Sequence, residues 1–160
     1  NPQGFRSETM DAINRKIINI LHDNARISFA DLGKAVHLSA PAVAERVKKL
    51  EEAGVIRGYR AILDPIRLGL DHVAFVEVKM VETSERALAA FNAAVAQIPE
   101  IEQAHLIAGN FDYLLKVRCR DMRAYRRVLA EHISRLPGIA ATSTYVAMEA
   151  VKEDAPGEQA

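Results

Sequence analysis

The sequence predicts an α+β chain in two parts, an N-terminal winged helix-turn-helix domain followed by a ferredoxin-like (βαββαβ) antiparallel sheet domain. Three observations predict it. Apolar residues in the first third recur at helical spacing in three runs, the last two separated by a turn of about three residues. The remainder repeats itself at an offset of 38 positions, so that Ile98-Pro99-Glu100-Ile101 returns as Leu136-Pro137-Gly138-Ile139. The chain has 160 residues, 49% of them apolar and 26% charged, which suits one or two small folded domains and excludes a disordered or collagen-like chain.

Each element has a local cause. Met10, Ile13, Ile17, Ile20 and Leu21 form the stripe of a first helix ending near Asn24. Ser28 is placed to cap a second helix, with Asp31 where a capping box carries its acid, and Phe29, Leu32 and Val36 on one side. His37 occupies the turn, where φ > 0 favours glycine; histidine visits that region more readily than most residues. Ser39 caps a third helix with Pro41 in its first turn, a stripe of Val43, Val47 and Leu50, and Ala53-Gly54 as its stop. Val55–Leu63 alternates around Gly58 and reads as a β-ribbon, the wing. Asp64-Pro65 breaks it and 64–70 reads as a linker. The domains are therefore expected at 10–63 and 71–152, with flexible segments at 1–9 and 153–160.

In the second domain Val73–Val78 is a strand, followed by a helix carrying Leu88, Phe91, Val95 and Ile98 and by a strand running to about Ala108. The second unit repeats this with Tyr113–Val117, a helix lined by Met122, Tyr125, Leu129, Ile133 and Leu136, and a last strand through Met148. A hairpin at Gly109-Asn110-Phe111-Asp112 joins the two β-α-β units. Both helices fall on one sheet face. The other face, expected to hold Val73, Phe75, Leu106 or its neighbours, and Tyr145, lacks a cover of its own, and a second copy of the chain is its natural partner.

Composition excludes several functions. The longest uncharged stretches, Ala87–Pro99 and Leu136–Met148, are 13 residues each, short of the roughly 20 a membrane span needs. No secretion leader is recognisable, and one cysteine, Cys119, cannot form an internal disulfide or a cysteine-based zinc cluster, so a cytoplasmic protein is expected. Cys119 beside Val117 reads as a small core residue. Five histidines, His22, His37, His72, His105 and His132, share no metal-ligand spacing, and no nucleophile motif or phosphate loop occurs. Neither catalysis nor a cofactor is expected. Net charge is zero, but residues 1–63 hold ten Lys/Arg against seven Asp/Glu, and the rest eleven against fourteen. The front half suits a phosphate-bearing partner.

With its stripe turned inward, the third helix presents Ser39, Ala40, Pro41, Ala42, Glu45, Arg46 and Lys49 outward. A recognition helix sets such a face into the major groove of duplex DNA. Its tip can touch thymine methyls, and Arg46 and Lys49 are expected as readers or phosphate anchors. Ser28 at the head of the second helix, and Arg26, Arg57 and Arg60, complete the expected interface with the DNA backbone. Specificity should be degenerate and lean on DNA shape. Arg123, Arg126 and Arg127 stripe the last helix; a solvated face explains them without a second DNA surface.

These residues resemble a known family. Ile27-Ser28, Asp31–Lys34, Leu38-Ser39 and Glu45–Tyr59 look like the DNA-binding half of the Lrp/AsnC (leucine-responsive, feast/famine) transcriptional regulators. His105-Leu106, Gly109–Lys116, Leu136–Gly138 and Thr142–Val146 are similar to the amino-acid-sensing half, so the likeness spans about residues 10–152. The chain departs from the family pattern in three places: Asn110 where Asp is common, His37 for the turn glycine, and Ala40-Pro41-Ala42 at the helix tip. The resemblance implies a nucleoid-associated homodimer assembling into tetramers, octamers or larger, with an amino-acid effector, small or branched and apolar, bound where dimers meet. Asp112 would take its ammonium, and the amides of the Gly109-Asn110 turn its carboxylate. Ala108, Phe111 and Tyr113 flank that turn, Leu106, Met122, Tyr145 and Val146 would surround the side chain, and Thr142 and Thr144 offer hydroxyls. Two alternatives remain: a tetrapyrrole decarboxylase on the same scaffold, using His105 with Arg118 or Arg120, and an architectural DNA-binding protein without an effector.

Overall fold

The computed structural model describes residues 10–153, so the segments expected to be flexible lie outside the described residues except for Glu153. The chain divides into two compact units, meeting between Ile62 and Leu63.

The first unit is three helices, α1 (Ala12–Asp23), α2 (Phe29–Val36) and α3 (Ala40–Glu52). Each begins where a short polar side chain accepts a hydrogen bond from the exposed amides of the first turn: Asp11 from Asn14 N, Ser28 from Asp31 N and Ser39 from Ala42 N. Ile17, Leu21, Leu32, Val36, Val43, Val47 and Leu50 close one core, drawn from all three helices. His37 sits at φ 59°, ψ 42°, as the turn requires, and Gly54 (φ 72°) follows the end of α3. Phe29 departs from expectation: at the first position of α2 it is 45% exposed, because the core-facing stripe starts a turn later at Leu32.

The wing does not form as a β-ribbon. No strand is present between Val55 and Leu63, since alternation makes a strand only where a neighbouring strand supplies the ladder, and no described segment does so. Ile62 is left 90% exposed. One contact organises this stretch: the Tyr59 hydroxyl donates to Glu51 Oε1 at 2.8 Å. Partial burial and that carboxylate push its pKa up to about 12. The expected linker, 64–70, is a closed turn. Asp64 Oδ1 accepts from the amides of Ile66 and Arg67, and Leu70 N donates to Pro65 O.

The second unit runs β1 (His72–Met80), α4 (Glu85–Val95), β2 (Ile101–Leu106), β3 (Tyr113–Cys119), α5 (Met122–Glu131), a 3-10 turn (Ile133–Arg135) and β4 (Ile139–Val146). The sheet order is β2-β3-β1-β4, all neighbours antiparallel. Ala74, Val76 and Val78 of β1 and Leu115 and Val117 of β3 share a core with Phe91 and Val95 of α4 and Tyr125 and Val128 of α5, so both helices cover one face. Cys119 is buried in that core, and burial raises its thiol pKa. The opposite face carries Phe75 beside Tyr145, and His105 beside Leu114. Leu106 is on the helix side, paired with Tyr113, because the register slips between Ile101 and Gln103 and sets its parity. Met122, expected on the apolar stripe of α5, is 53% exposed at the helix start.

Two substitutions test the tight turn of the first unit. A Cβ on Gly33 would lie 2.5 Å from the Leu38 carbonyl oxygen, so Gly33→Ala should destabilise the unit by about 2 kcal/mol in urea unfolding. His37→Gly relieves a left-handed residue and should stabilise it by about 1 kcal/mol.

Candidate DNA-binding face and ligand site

The exposed side of α3 is built from its cap outward. Ser39 starts it, Pro41 occupies the first turn where no partner for its nitrogen is needed, and Glu45 and Lys49 stand one turn apart with Oε1 and Nζ 3.9 Å from each other. That pair is exposed and screened by solvent, so Lys49 is free to exchange its carboxylate for a phosphate. Ala40 and Ala42 are half-buried at the tip. Arg26, Arg57 and Arg60 are exposed and form no ion pair among the described residues.

Two expected DNA contacts are otherwise engaged. Arg46 does not point outward with Lys49. Its Nη1 donates to Asp11 Oδ2 at 2.7 Å and to Asn14 Oδ1 at 3.0 Å, which clamps α3 to the start of α1. Asn14 is the one buried polar residue among the described residues, and Arg46 supplies a donor to its amide oxygen. Ser28 caps α2 and also donates its hydroxyl to Asp31 Oδ2 at 2.9 Å, so both its functions are local. The engagement of Arg46 was not legible from spacing, since its partners lie 32 and 35 positions away.

The hairpin of the second unit has its own geometry. Asp112 N donates to Val78 O, and Ile107 N donates to Asp112 O. Beyond Val78↔Tyr113, where the β1–β3 ladder ends, the Met80 amide donates to Asp112 Oδ2 at 2.7 Å. Asp112 Oδ1 accepts no hydrogen bond from the described residues. Lys79 Nζ donates to the Asn110 carbonyl at 3.1 Å, a contact that spacing alone did not reveal. Ala108, Gly109 and Asn110 are exposed and Phe111 is half-buried. A Cβ on Gly109 would meet only Ile107 Cγ2, at an ordinary 3.5 Å, and its φ is not positive, so nothing in one copy of the fold demands glycine there.

The remaining expected ligand residues are not gathered within one chain. Leu106, Tyr113, Val78 and Thr142 lie in one row across the sheet, with Leu106 and Thr142 on opposite edge strands, roughly 14 Å apart by strand spacing. Thr144 and Val146 continue along β4 away from the hairpin on the helix side, and Thr144 Oγ1 is hydrogen-bonded to the Tyr125 hydroxyl. Tyr145 faces the other way, paired with Phe75. Tyr113 is core rather than pocket: its ring packs on Phe91 with centroids 4.2 Å apart, and its hydroxyl donates to Asn92 Oδ1 at 2.7 Å. Burial raises its pKa. For the decarboxylase alternative, Arg118 is committed to Glu102 Oε1 (2.6 Å) and the Leu70 carbonyl, while His105 sits near the hairpin end of β2. Among the described residues no group of His, Cys, Asp and Glu could hold a metal ion, and no helix is long and apolar enough to cross a membrane.

A helix-turn-helix unit with an uncovered recognition face, joined to a sheet domain with an open hairpin and an uncovered sheet face, defines an effector-responsive DNA-binding transcriptional regulator. Comparison with known proteins makes this specific. Residues 10–51 match the AsnC-type helix-turn-helix domain and residues 73–156 the Lrp/AsnC ligand binding domain. The proline dehydrogenase transcriptional activator of Rhodobacter capsulatus is 53% identical over 147 residues, covering 92% of this chain and 96% of its own. The leucine-responsive regulatory protein of Escherichia coli (strain K12) is 45% identical over 144 residues, covering 90% and 88%. Among solved structures, a transcriptional regulator from Neisseria meningitidis in complex with L-Met superposes with a TM-score of 0.82 at 28% identity, covering 90% of this chain and 93% of that one. The chain belongs to the Lrp/AsnC family.

The Arg46 clamp makes a prediction with a definite pH sign. Its hydrogen bond, reinforced by the Asn14 amide, holds the Asp11 carboxyl below its ordinary value of 3.8. A depressed folded pKa contributes stability that is full above the unfolded value and lost as pH falls through the folded one. Arg46→Ala should cost about 1 kcal/mol at neutral pH. The difference from wild type should shrink below about pH 4 in urea titrations followed by circular dichroism.

Proposed function

We propose that this regulator binds degenerate duplex DNA sites through the exposed side of α3, with Lys49, Arg26, Arg57 and Arg60 meeting phosphates, and that a free amino acid tunes this binding from the hairpin of the second unit. The carrying observation is the divided ligand site. Asp112 has one oxygen committed to Met80 and the other unpartnered, and beside it Gly109 offers bare backbone. Thr142, which would complete the site, stands on the far edge strand. A second copy supplies the missing wall, which puts the effector where copies meet and couples its binding to assembly. Dimers form through the face carrying Phe75 and Tyr145 and associate further into tetramers, octamers or larger. The effector is small or branched and apolar, in keeping with a ligand held mainly by its ammonium and carboxylate. The protein acts on chromosomal DNA in the cytoplasm.

Sites selected from a random DNA pool, with and without each amino acid, test both halves. Lys49→Ala should weaken the selected site three- to tenfold and reduce the slope of log affinity against log salt by about 1. Asp112→Asn keeps an acceptor for Met80 but loses the charge, and should weaken the effector response at least tenfold while DNA affinity stays within twofold. Equal loss of both would mean that Asp112 only holds the hairpin.

A further inference from the structure

Sequence alone leaves the arginines of the last helix as a solvated face, but their setting in the folded domain does not fit that description. Residues 64–160 carry fourteen acidic groups against eleven basic ones, yet Arg120, Arg123, Arg126, Arg127 and Arg135 crowd into 120–135. All five are exposed, and none forms an ion pair among the described residues. Tyr125 and Val128 turn α5 toward the core, so Arg123, Arg126, Arg127 and the small Ala130 share its outer side.

This arrangement differs from the rest of the described surface. Elsewhere a cation three or four residues from an acid reaches it: Lys34 reaches Asp31, Lys49 reaches Glu45, and Arg67 reaches Asp64. On α5 the neighbours of Arg123 at that spacing are Arg120, Arg126 and Arg127. Glu131, one turn beyond Arg127, is not paired with it, and Asp121 is engaged at the helix cap, where Ala124 N donates to its Oδ1. Like charges at three- and four-residue spacing weaken a helix. No described residue offsets that loss, whereas a bound polyanion would.

The chemistry of the stripe selects duplex DNA. Between 118 and 151 every basic side chain apart from His132 is arginine, whose planar fork grips phosphate oxygens through paired hydrogen bonds. The stripe has no exposed aromatic ring on which unpaired bases could stack, since Tyr125 is buried. The apolar side of α5, which a membrane surface would need, is already in the core. Arg123 and Arg127 are about 6 Å apart along the helix axis. A duplex carries one phosphate per roughly 3.4 Å of its axis on each strand, so a helix laid along the backbone meets several at once.

We infer that α5 is a second, sequence-independent DNA contact, in which Arg123, Arg126 and Arg127 bind phosphates of the duplex that α3 reads. The inference rests on the proposal that α3 holds that duplex. The sheet domain then adds affinity on any sequence, and a regulator of degenerate sites gains hold on DNA without gaining selectivity.

Fluorescence anisotropy of the full chain on a selected duplex and on a scrambled one of equal length, across a range of salt, tests this. The paired variant Arg123→Ala/Arg127→Ala should weaken both duplexes by the same factor, at least fivefold, and lower the slope of log affinity against log salt by about 2. Arg123→Lys/Arg127→Lys should restore most of that slope. Alanine is the best helix former, so the alanine pair should unfold at no lower urea than wild type. Arg86→Ala/Lys152→Ala removes the same charge from exposed, unpaired positions off the stripe and should stay within twofold. Equal weakening by that control means a general field and overturns the contact. A changed sedimentation coefficient of the alanine pair makes the stripe an interface between copies and also overturns it. Unchanged affinity and slope with Lys49→Ala still effective overturns the α5 contact and keeps the α3 reading; the opposite pattern keeps α5 and overturns α3. Stripe-dependent binding of duplex RNA in preference to DNA overturns DNA as the occupant.

Discussion

The central strand β1 governs the second domain. Hydrogen-bonded to β3 on one side and β4 on the other, it fixes by its parity which side chains of three strands meet the helices and which are left bare. Ala74, Val76 and Val78 point into the core, so Val73, Phe75, Glu77 and Lys79 must share the uncovered face. β1 runs on past the last β1–β3 pair, Val78 with Tyr113, which leaves the Met80 amide without a ladder partner on that side. Asp112 answers it across the hairpin. The Asp112 side chain is thus oriented by the strand that organises the sheet. The same contact keeps one carboxylate oxygen occupied and leaves the other available.

The two-domain plan was readable from the residues because its causes are local. Caps at Ser28 and Ser39, the left-handed His37 and the stripes of α1 and α3 each depend on neighbours within one or two turns. The tandem β-α-β units repeat over a distance short enough to see by eye. What escaped was set by contacts distant in sequence. Nothing near Arg46 announces that its guanidinium turns toward Asp11 and Asn14, and nothing near Asp112 announces Met80. The parity of Leu106 depends on a register slip at Ile101. The Val55–Leu63 segment has the alternation of a strand but no described neighbour to pair with, and alternation cannot supply one.

The expected ligand residues illustrate the difference between a motif and a site. Sequence order groups Thr142, Thr144, Tyr145 and Val146, yet the pleat sends Tyr145 to the opposite face and the sheet order puts β4 at the edge away from β2. Tyr113, adjacent to Asp112 in the chain, is turned into the core against Phe91 and Asn92. The residues that remain accessible at the hairpin are Ala108, Gly109 and Asn110, with Asp112 half-buried beside them. On the reading proposed above, another molecule of the same protein completes the site, and sensing and association become a single thermodynamic event.

The Arg46 clamp has a bearing on how such a regulator chooses among operators. Because α3 is bolted to the head of α1 and shares its core with both other helices, it cannot tilt or slide by itself to accommodate a new base sequence. The reading head moves as one rigid piece. A change in genetic output is then a matter of where that piece is carried along the duplex, not of how it is bent.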